Sequence, residues 1–149
     1  MAPTRTRSRL TLHSQTVAAR LDQLEAVCGL VDQGAHSAGF DDRTSYACQL
    51  AVCEAAENIV KHGYRKPGAG DIRVTTRSRP GELIIDLVDS APPFDPTAAM
   101  PDDDWEMTDP PVGGRGLLII RRVMDDVHYE RRGHRNHLRL RKRIQAPSE

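Results

Sequence analysis

A chain of 149 residues has room for one domain, spanning residues 1–149, and none for a second. Lys and Arg total 21 and Asp and Glu total 21, so the molecule as a whole has no pull toward nucleic acid or an acidic membrane. No apolar run approaches the ~20 residues that a bilayer span needs, and the N-terminal MAPTRTRSRL leads into no signal-type apolar stretch, so no membrane association is expected.

Residues 1–8 read as a flexible tip that runs into a short strand over residues 5–12, where Thr6, Ser8, Leu10 and Leu12 alternate with basic or polar positions. Ser14 or Thr16 is placed to cap a helix through about Ala35, with Val17, Leu21, Leu24, Val27, Cys28 and Val31 at helical spacing. Gly39 and Phe40 end that element, and Asp41 or Asp42 caps a second helix through about His62, with Gly63 placed to stop it. A turn-rich connection over residues 66–70 precedes two strands, 71–77 and 82–89, around the turn Arg79-Pro80-Gly81. Residues 90–112 hold six prolines, many acidic residues and Trp105, the composition of a long surface loop, and loops of that length are usually functional lids or disordered; a lid is the expectation here. An apolar helix over 116–124 and a hairpin of 126–132 and 136–143 across Gly133 complete the chain. Strand, two helices, two strands, lid, helix, two strands predicts an α/β (α+β) two-layer sandwich: a mixed β-sheet with helices on one face.

Charge is unevenly spread. Seven cations between Arg131 and Arg143 are opposed only by Glu149, and Asp102, Asp103, Asp104, Glu106 and Asp109 crowd the stretch before the glycines. The basic end reads as a solvated strand face with Leu138 and Leu140 inward, or as a partner-docking surface; without interleaved aromatics it does not read as a nucleic-acid site. Cys28, Cys48 and Cys53 are odd in number and lack the two-residue spacing of metal or redox motifs, so buried free thiols in a reducing cytoplasm are expected.

Glu54 and Asn58 are four apart in CQLAVCEAAENIVKHGY, so a helix places a carboxylate and an amide on one face, with Ala51, Ala55, Ile59 and Val60 available to a core. An exposed helix face also carries such pairs, so their company matters. Asp89 ends the apolar strand LIIDLVD, and Gly113, Gly114 and Gly116, with Arg115 among them and Leu117 following, open a helix whose backbone amides favour phosphate. No Gly-Lys-Ser/Thr ending is present, so this is not a Walker sequence. His128, His134 and His137 lack helical metal-ligand spacing.

In this order the three segments resemble the ATP-binding boxes of the GHKL superfamily, and the wording EAAENIVKHGY, DSAPPFDP and GGRGLLIIRRVMDDVHY resembles the RsbW-like anti-sigma factor serine kinases. The resemblance implies a Bergerat-type ATP-binding fold, with ATP and Mg²⁺ as cofactors. It implies Asn58 as the Mg²⁺ ligand, Glu54 as the general base, and Asp89 as acceptor of the adenine amino group. His62, Phe94, the Gly113 to Leu117 segment and Asn136, beside the adenine aspartate, complete the implied nucleotide site. Two positions depart from the pattern. Ala91 and Pro93 stand where the superfamily usually has glycine, the first losing easy access to positive φ and adding a methyl near the base, the second removing a backbone donor.

By the same resemblance, the protein is a cytoplasmic homodimer that sequesters a sigma factor and phosphorylates a serine on an anti-anti-sigma protein of STAS type. A module of the same fold that binds its partner without catalysis is the alternative that Ala91 and Pro93 favour. A nucleotide-driven conformational ATPase is a third reading, weakened because a transducer domain is lacking.

Overall fold

The computed structural model describes residues 9–99 and 114–144. Five strands, β1 (Thr11–Ala18), β2 (Asp71–Arg79), β3 (Glu82–Asp89), β4 (Asp126–Arg132) and β5 (Arg135–Arg143), form one sheet in the order β1-β2-β3-β5-β4. Three helices, α1 (Leu24–Ser37), α2 (Asp42–Asn58) and α3 (Gly114–Val123), cover one face. None of the described helices is long and apolar enough to cross a membrane.

The two-layer architecture is as the pattern predicts, but the sheet is not mixed: all four pairings are antiparallel. Topology explains the difference. Two consecutive helices between β1 and β2 return the chain to the end of the sheet where β1 finished, Ala18 facing Asp71, so β2 runs against β1. The single helix between β3 and β4 does make those strands co-directional, yet β5 lies between them and pairs antiparallel with both.

Alternation fixes which residues meet the helices. Ile72, Val74, Leu83, Ile85, Leu87, Leu138 and Leu140 project into the core, where they meet Val27, Val31, Val52, Ala55, Ile59 and Ile120. Gly34 of α1 allows the close approach, because a Cβ there would stand 2.9 Å from Leu83 Cδ1 and 3.2 Å from Thr76. The β2–β3 hairpin turns through Pro80 and Gly81, the latter at φ 83°, a conformation that suits glycine.

Three local expectations are corrected. The first strand is displaced: Ser14 and Thr16 are not helix caps but β1 residues facing Thr75 and Arg73, and the Ser14 hydroxyl lies 3.1 Å from that of Thr75. Cross-strand pairing outcompetes the capping role that the same hydroxyls favour, and helix α1 begins only at Leu24, after a 3₁₀ turn at Leu21–Gln23. The second helix is capped as expected, with Asp41 accepting from the Thr44 N–H at 2.7 Å. It becomes π-helical over Ile59–Tyr64 and stops at Arg65, φ 63°, rather than at Gly63. The third correction concerns the cysteines. Packing of α1 on α2 pairs Cys28 with Cys53 in a disulfide, Cα atoms 6.5 Å apart, so only Cys48 is a buried free thiol. A pair separated by 25 residues leaves no motif in the sequence. Burial raises the Cys48 thiol to about 11.

Candidate active site

The helix α2, the ends of β3 and β5, and the start of α3 converge on one region. The Glu54 carboxylate lies directly against Gly116, so closely that a Cβ on Gly116 would collide with Oε2 and stand 3.3 Å from Cδ. This contact joins the acidic helix to the glycine segment, about sixty residues away in sequence. Burial raises the pKa of Glu54, nearby Glu57 adds to the rise, and Lys61, bonded to Glu57, opposes it. One turn on, Asn58 is 9% exposed and its Nδ2 has no hydrogen-bond partner. Buried amides are ordinarily satisfied, and the O and N of an amide are interchangeable by rotation, so this orphaned end marks a place for a polar ligand.

At the other end of the region the sheet register builds a row: Asp89 of β3 faces Asn136 of β5, which faces Arg131 of β4. Asn136 Nδ2 donates to Asp89 Oδ1 at 2.8 Å and to the carbonyls of Ala91 and Pro92 at 3.1 Å. Its Oδ1 accepts from the Tyr129 hydroxyl at 2.5 Å and from Arg131 at 3.1 Å. Arg131 also donates to the Ala91 carbonyl at 2.8 Å. The Ala91 N–H completes the arrangement by donating to Asp89 Oδ1 at 2.9 Å. Among the described residues, both bonds to Asp89 use Oδ1 and none uses Oδ2. Burial raises the Asp89 pKa; the Asn136 bond, the Ala91 N–H and the Arg131 charge work against that rise.

Ala91 raises neither difficulty that its identity suggests. It is absent from the positive-φ residues, so its backbone needs no glycine. Its buried methyl is turned toward Gly63, where a Cβ would stand 3.3 Å from it. Pro93 is exposed. His62 and Phe94 stack with ring centroids 6.0 Å apart, linking the π-helical turn to the segment after β3. Gly114 and Arg115 lie in the first turn of α3, and Leu117 is buried beneath it. Gly113, Trp105 and the part of the expected lid beyond residue 99 fall outside the described residues.

Tyr64 and Arg131 hold this region together and were missed by motif reading. The Tyr64 hydroxyl donates to the Asp71 carbonyl at 2.7 Å and accepts from the Ser90 N–H at 2.9 Å, tying the end of the π-helical turn to the start of β2 and to the residue after Asp89. The signal for Arg131 was present in the hairpin: counting back across Gly133 pairs position 131 with 136.

A profile of the histidine kinase-like ATPase domain matches residues 17–142. The chain belongs to that family. The serine/threonine-protein kinase BtrW of Bordetella bronchiseptica is 32% identical over 99 residues, covering 66% of this chain and 70% of that protein. The serine-protein kinase RsbW of Listeria innocua is 31% identical over 100 residues, 62% of each chain, so the match leaves more than a third of that relative unspanned. Among solved structures, the RsbU and RsbW domains of Rv1364c from Mycobacterium tuberculosis superpose with a TM-score of 0.63 at 16% identity. That superposition covers 93% of this chain and 34% of the other, and it supports the fold. For an ATPase domain the donor set is apt: two half-buried or buried carboxylates, an orphaned buried amide, and a glycine at a helix start seated against one of those carboxylates.

Proposed function

We propose that this ATPase domain is an ATP-dependent protein serine kinase that also sequesters a sigma factor. The single observation that carries the catalytic part is the seating of a half-buried Glu54, its basicity raised, against Gly116, with the unsatisfied Asn58 amide one turn away. A base must lie beside the phosphoryl group being transferred, and the glycine-opened helix is the element suited to hold that phosphate.

In this reading Glu54 takes the proton of the attacking serine hydroxyl, the serine oxygen bonds the terminal phosphorus of ATP, and the bridging bond breaks to release ADP. Raised basicity helps, since a general base works best when its pKa lies nearer the working pH. Asp89 Oδ2 accepts from the adenine amino group while Asn136 holds the carboxylate by its other oxygen. Asn58 would hold Mg²⁺, whose charge neutralises the phosphates when bound. His62 and Phe94 form one wall of the nucleotide site, and Gly114 to Leu117 the phosphate side.

The names of the similar proteins, serine and serine/threonine kinases, support transfer to a hydroxyl. Sequestration of a sigma factor, a STAS-type anti-anti-sigma substrate, a homodimer and cytoplasmic location follow from the RsbW-like resemblance. A phosphoserine adds close to two negative charges, enough to break a docked interface and switch the substrate off. The non-catalytic module is the second reading; its basis was Ala91 and Pro93, and the ordinary backbone of Ala91 weakens it.

The test is phosphoryl transfer from labelled ATP to candidate STAS-type proteins by wild type and Glu54→Gln. The variant should lose roughly a hundredfold or more in rate while keeping ATP and sigma-factor binding. A wild-type rate in Glu54→Gln would remove Glu54 from the mechanism, and no transfer by the wild type to any candidate would favour the sequestering module.

A further inference from the structure

The helix-free face of the sheet holds a shallow basin of about 540 Å³ whose chemistry differs from that of the ATPase site. Five arginines, Arg73, Arg77, Arg132, Arg135 and Arg139, line it against two carboxylates, Asp86 and Glu130. Each carboxylate is already engaged: Asp86 holds Arg139 at 2.7 Å and Glu130 holds Arg132 at 2.8 Å. Among the described residues, Arg73 reaches only the Ser14 hydroxyl, at 3.4 Å, and neither Arg77 nor Arg135 makes a side-chain hydrogen bond or ion pair. Arg132 and Arg135 stand directly opposite each other across β4 and β5, an arrangement that costs stability in the free protein. A sheet face that needed only solvation would not require such crowding.

We propose that this face docks an acidic, amphipathic segment of a partner protein. Arg73 and Arg77 are about 13 Å apart along β2, and β4 lies across two intervening strands at roughly 14 Å. A helix of about ten residues spans that distance with carboxylates at both ends. Exposed Leu12 and half-buried Val88 lie within the basin and provide the apolar floor on which such a helix rests. A second copy of this face is disfavoured as occupant because its own excess of arginines would repel. A nucleic-acid strand is disfavoured because Asp86 and Glu130 interrupt the cationic surface and, among the described residues, no phenyl, phenol or indole ring lines it to stack on bases.

The experiment measures fluorescence anisotropy of a labelled peptide of about twelve residues, with Glu on one ridge and Leu on the other, against the full chain. Binding should weaken as salt rises, fall by roughly tenfold or more in Arg77→Glu with Arg135→Glu, and survive Arg43→Glu on the helical side. Leu12→Ser should weaken it less. Circular dichroism and Mg-ATP binding of the double variant should match wild type; if charge reversal unfolds the protein, Arg77→Gln with Arg135→Gln should show the same loss at smaller size. A peptide with Gln in place of Glu that binds equally well, or a double variant that binds normally, would overturn the proposal. Tighter binding of a single-stranded oligonucleotide would assign the face to nucleic acid instead, and a wild-type dimer that the double variant splits in sedimentation would assign it to self-association; either outcome defeats it.

Discussion

Replacing Gly116 by Ala separates the chemistry of the site from its stability. The new methyl would fall on Glu54 Oε2, and the carboxylate must retreat by about 1 Å to reach an ordinary contact distance. Because the obstructing atom is the end of a flexible side chain, that retreat is a rotation and not a collapse of the helix. Alanine is favoured over glycine within a helix by up to about 1 kcal/mol, which offsets the crowding, so unfolding free energy should change by less than about 1 kcal/mol in either direction. Catalysis should respond differently. A displacement of about 1 Å in a group that must meet a proton costs on the order of a hundredfold in rate, so phosphoryl transfer from labelled ATP should drop by about that factor while the melting temperature hardly moves. Gly116→Ala combined with Glu54→Gln should be no slower than Glu54→Gln alone, because both changes act through one carboxylate. If Gly116→Ala transfers phosphate at the wild-type rate, Glu54 is not the base or its position against α3 is irrelevant to it.

Asp89→Asn should abolish most calorimetric ATP affinity, and its stability should depend less on pH. Burial raises the folded-state pKa of Asp89, so the folded protein holds a proton that the unfolded chain releases, and stability falls as pH rises from the ordinary carboxylate value through the folded one. Wild type should therefore gain more in melting temperature than the variant as pH is lowered from 7 toward the ordinary carboxylate value; equal gains would show that Asp89 does not titrate differently in the folded and unfolded chains. Asn58→Ala should lose Mg²⁺-dependent nucleotide binding while unfolding within about 1 kcal/mol of wild type, since the amide end it removes is unsatisfied; undiminished Mg²⁺ dependence in calorimetry would refute the assignment. Tyr64→Phe should cost about 1–2 kcal/mol in denaturant unfolding, because it deprives the Asp71 carbonyl and the Ser90 N–H of their shared partner. An unchanged midpoint would show those groups satisfied by water.

The parts of the fold that could be read from sequence were those whose signals were local. Strands β2 to β5 carry clean alternation, Asp41 is a cap with its acceptor three residues from the donor it serves, and Gly81 sits where a tight hairpin demands positive φ. The boundary between β1 and α1 was misjudged because Ser14 and Thr16 suit both a cap and a strand, and only the distant β2 decides between them. The sense of the strands and the Cys28–Cys53 pairing failed for the same reason: each depends on how two helices fold back, which no window of the chain encodes.

The candidate site divides along the same line. Glu54, Asn58, Asp89 and Gly116 stood out because an acid, an amide, a second acid and a glycine-opened helix, in that order, are the separate parts that the proposed nucleotide chemistry needs. Tyr64 and Arg131 instead act by holding backbone groups that any sequence would possess. Ala91 shows how a departure from pattern can be absorbed by structure. Judged alone, a methyl two residues after the aspartate that the resemblance assigns to adenine threatens both backbone freedom and the space for a base. In the fold, its carbonyl is held by Arg131 and Asn136, its N–H by Asp89, and its methyl points at a glycine on the facing π-helical turn. The space that glycine ordinarily opens on one side of the gap is opened here from the other, by Gly63, so positions 63 and 91 act as one steric unit. In the proposed reading, the room for a base beside Asp89 is then a property of that pair and not of position 91 alone.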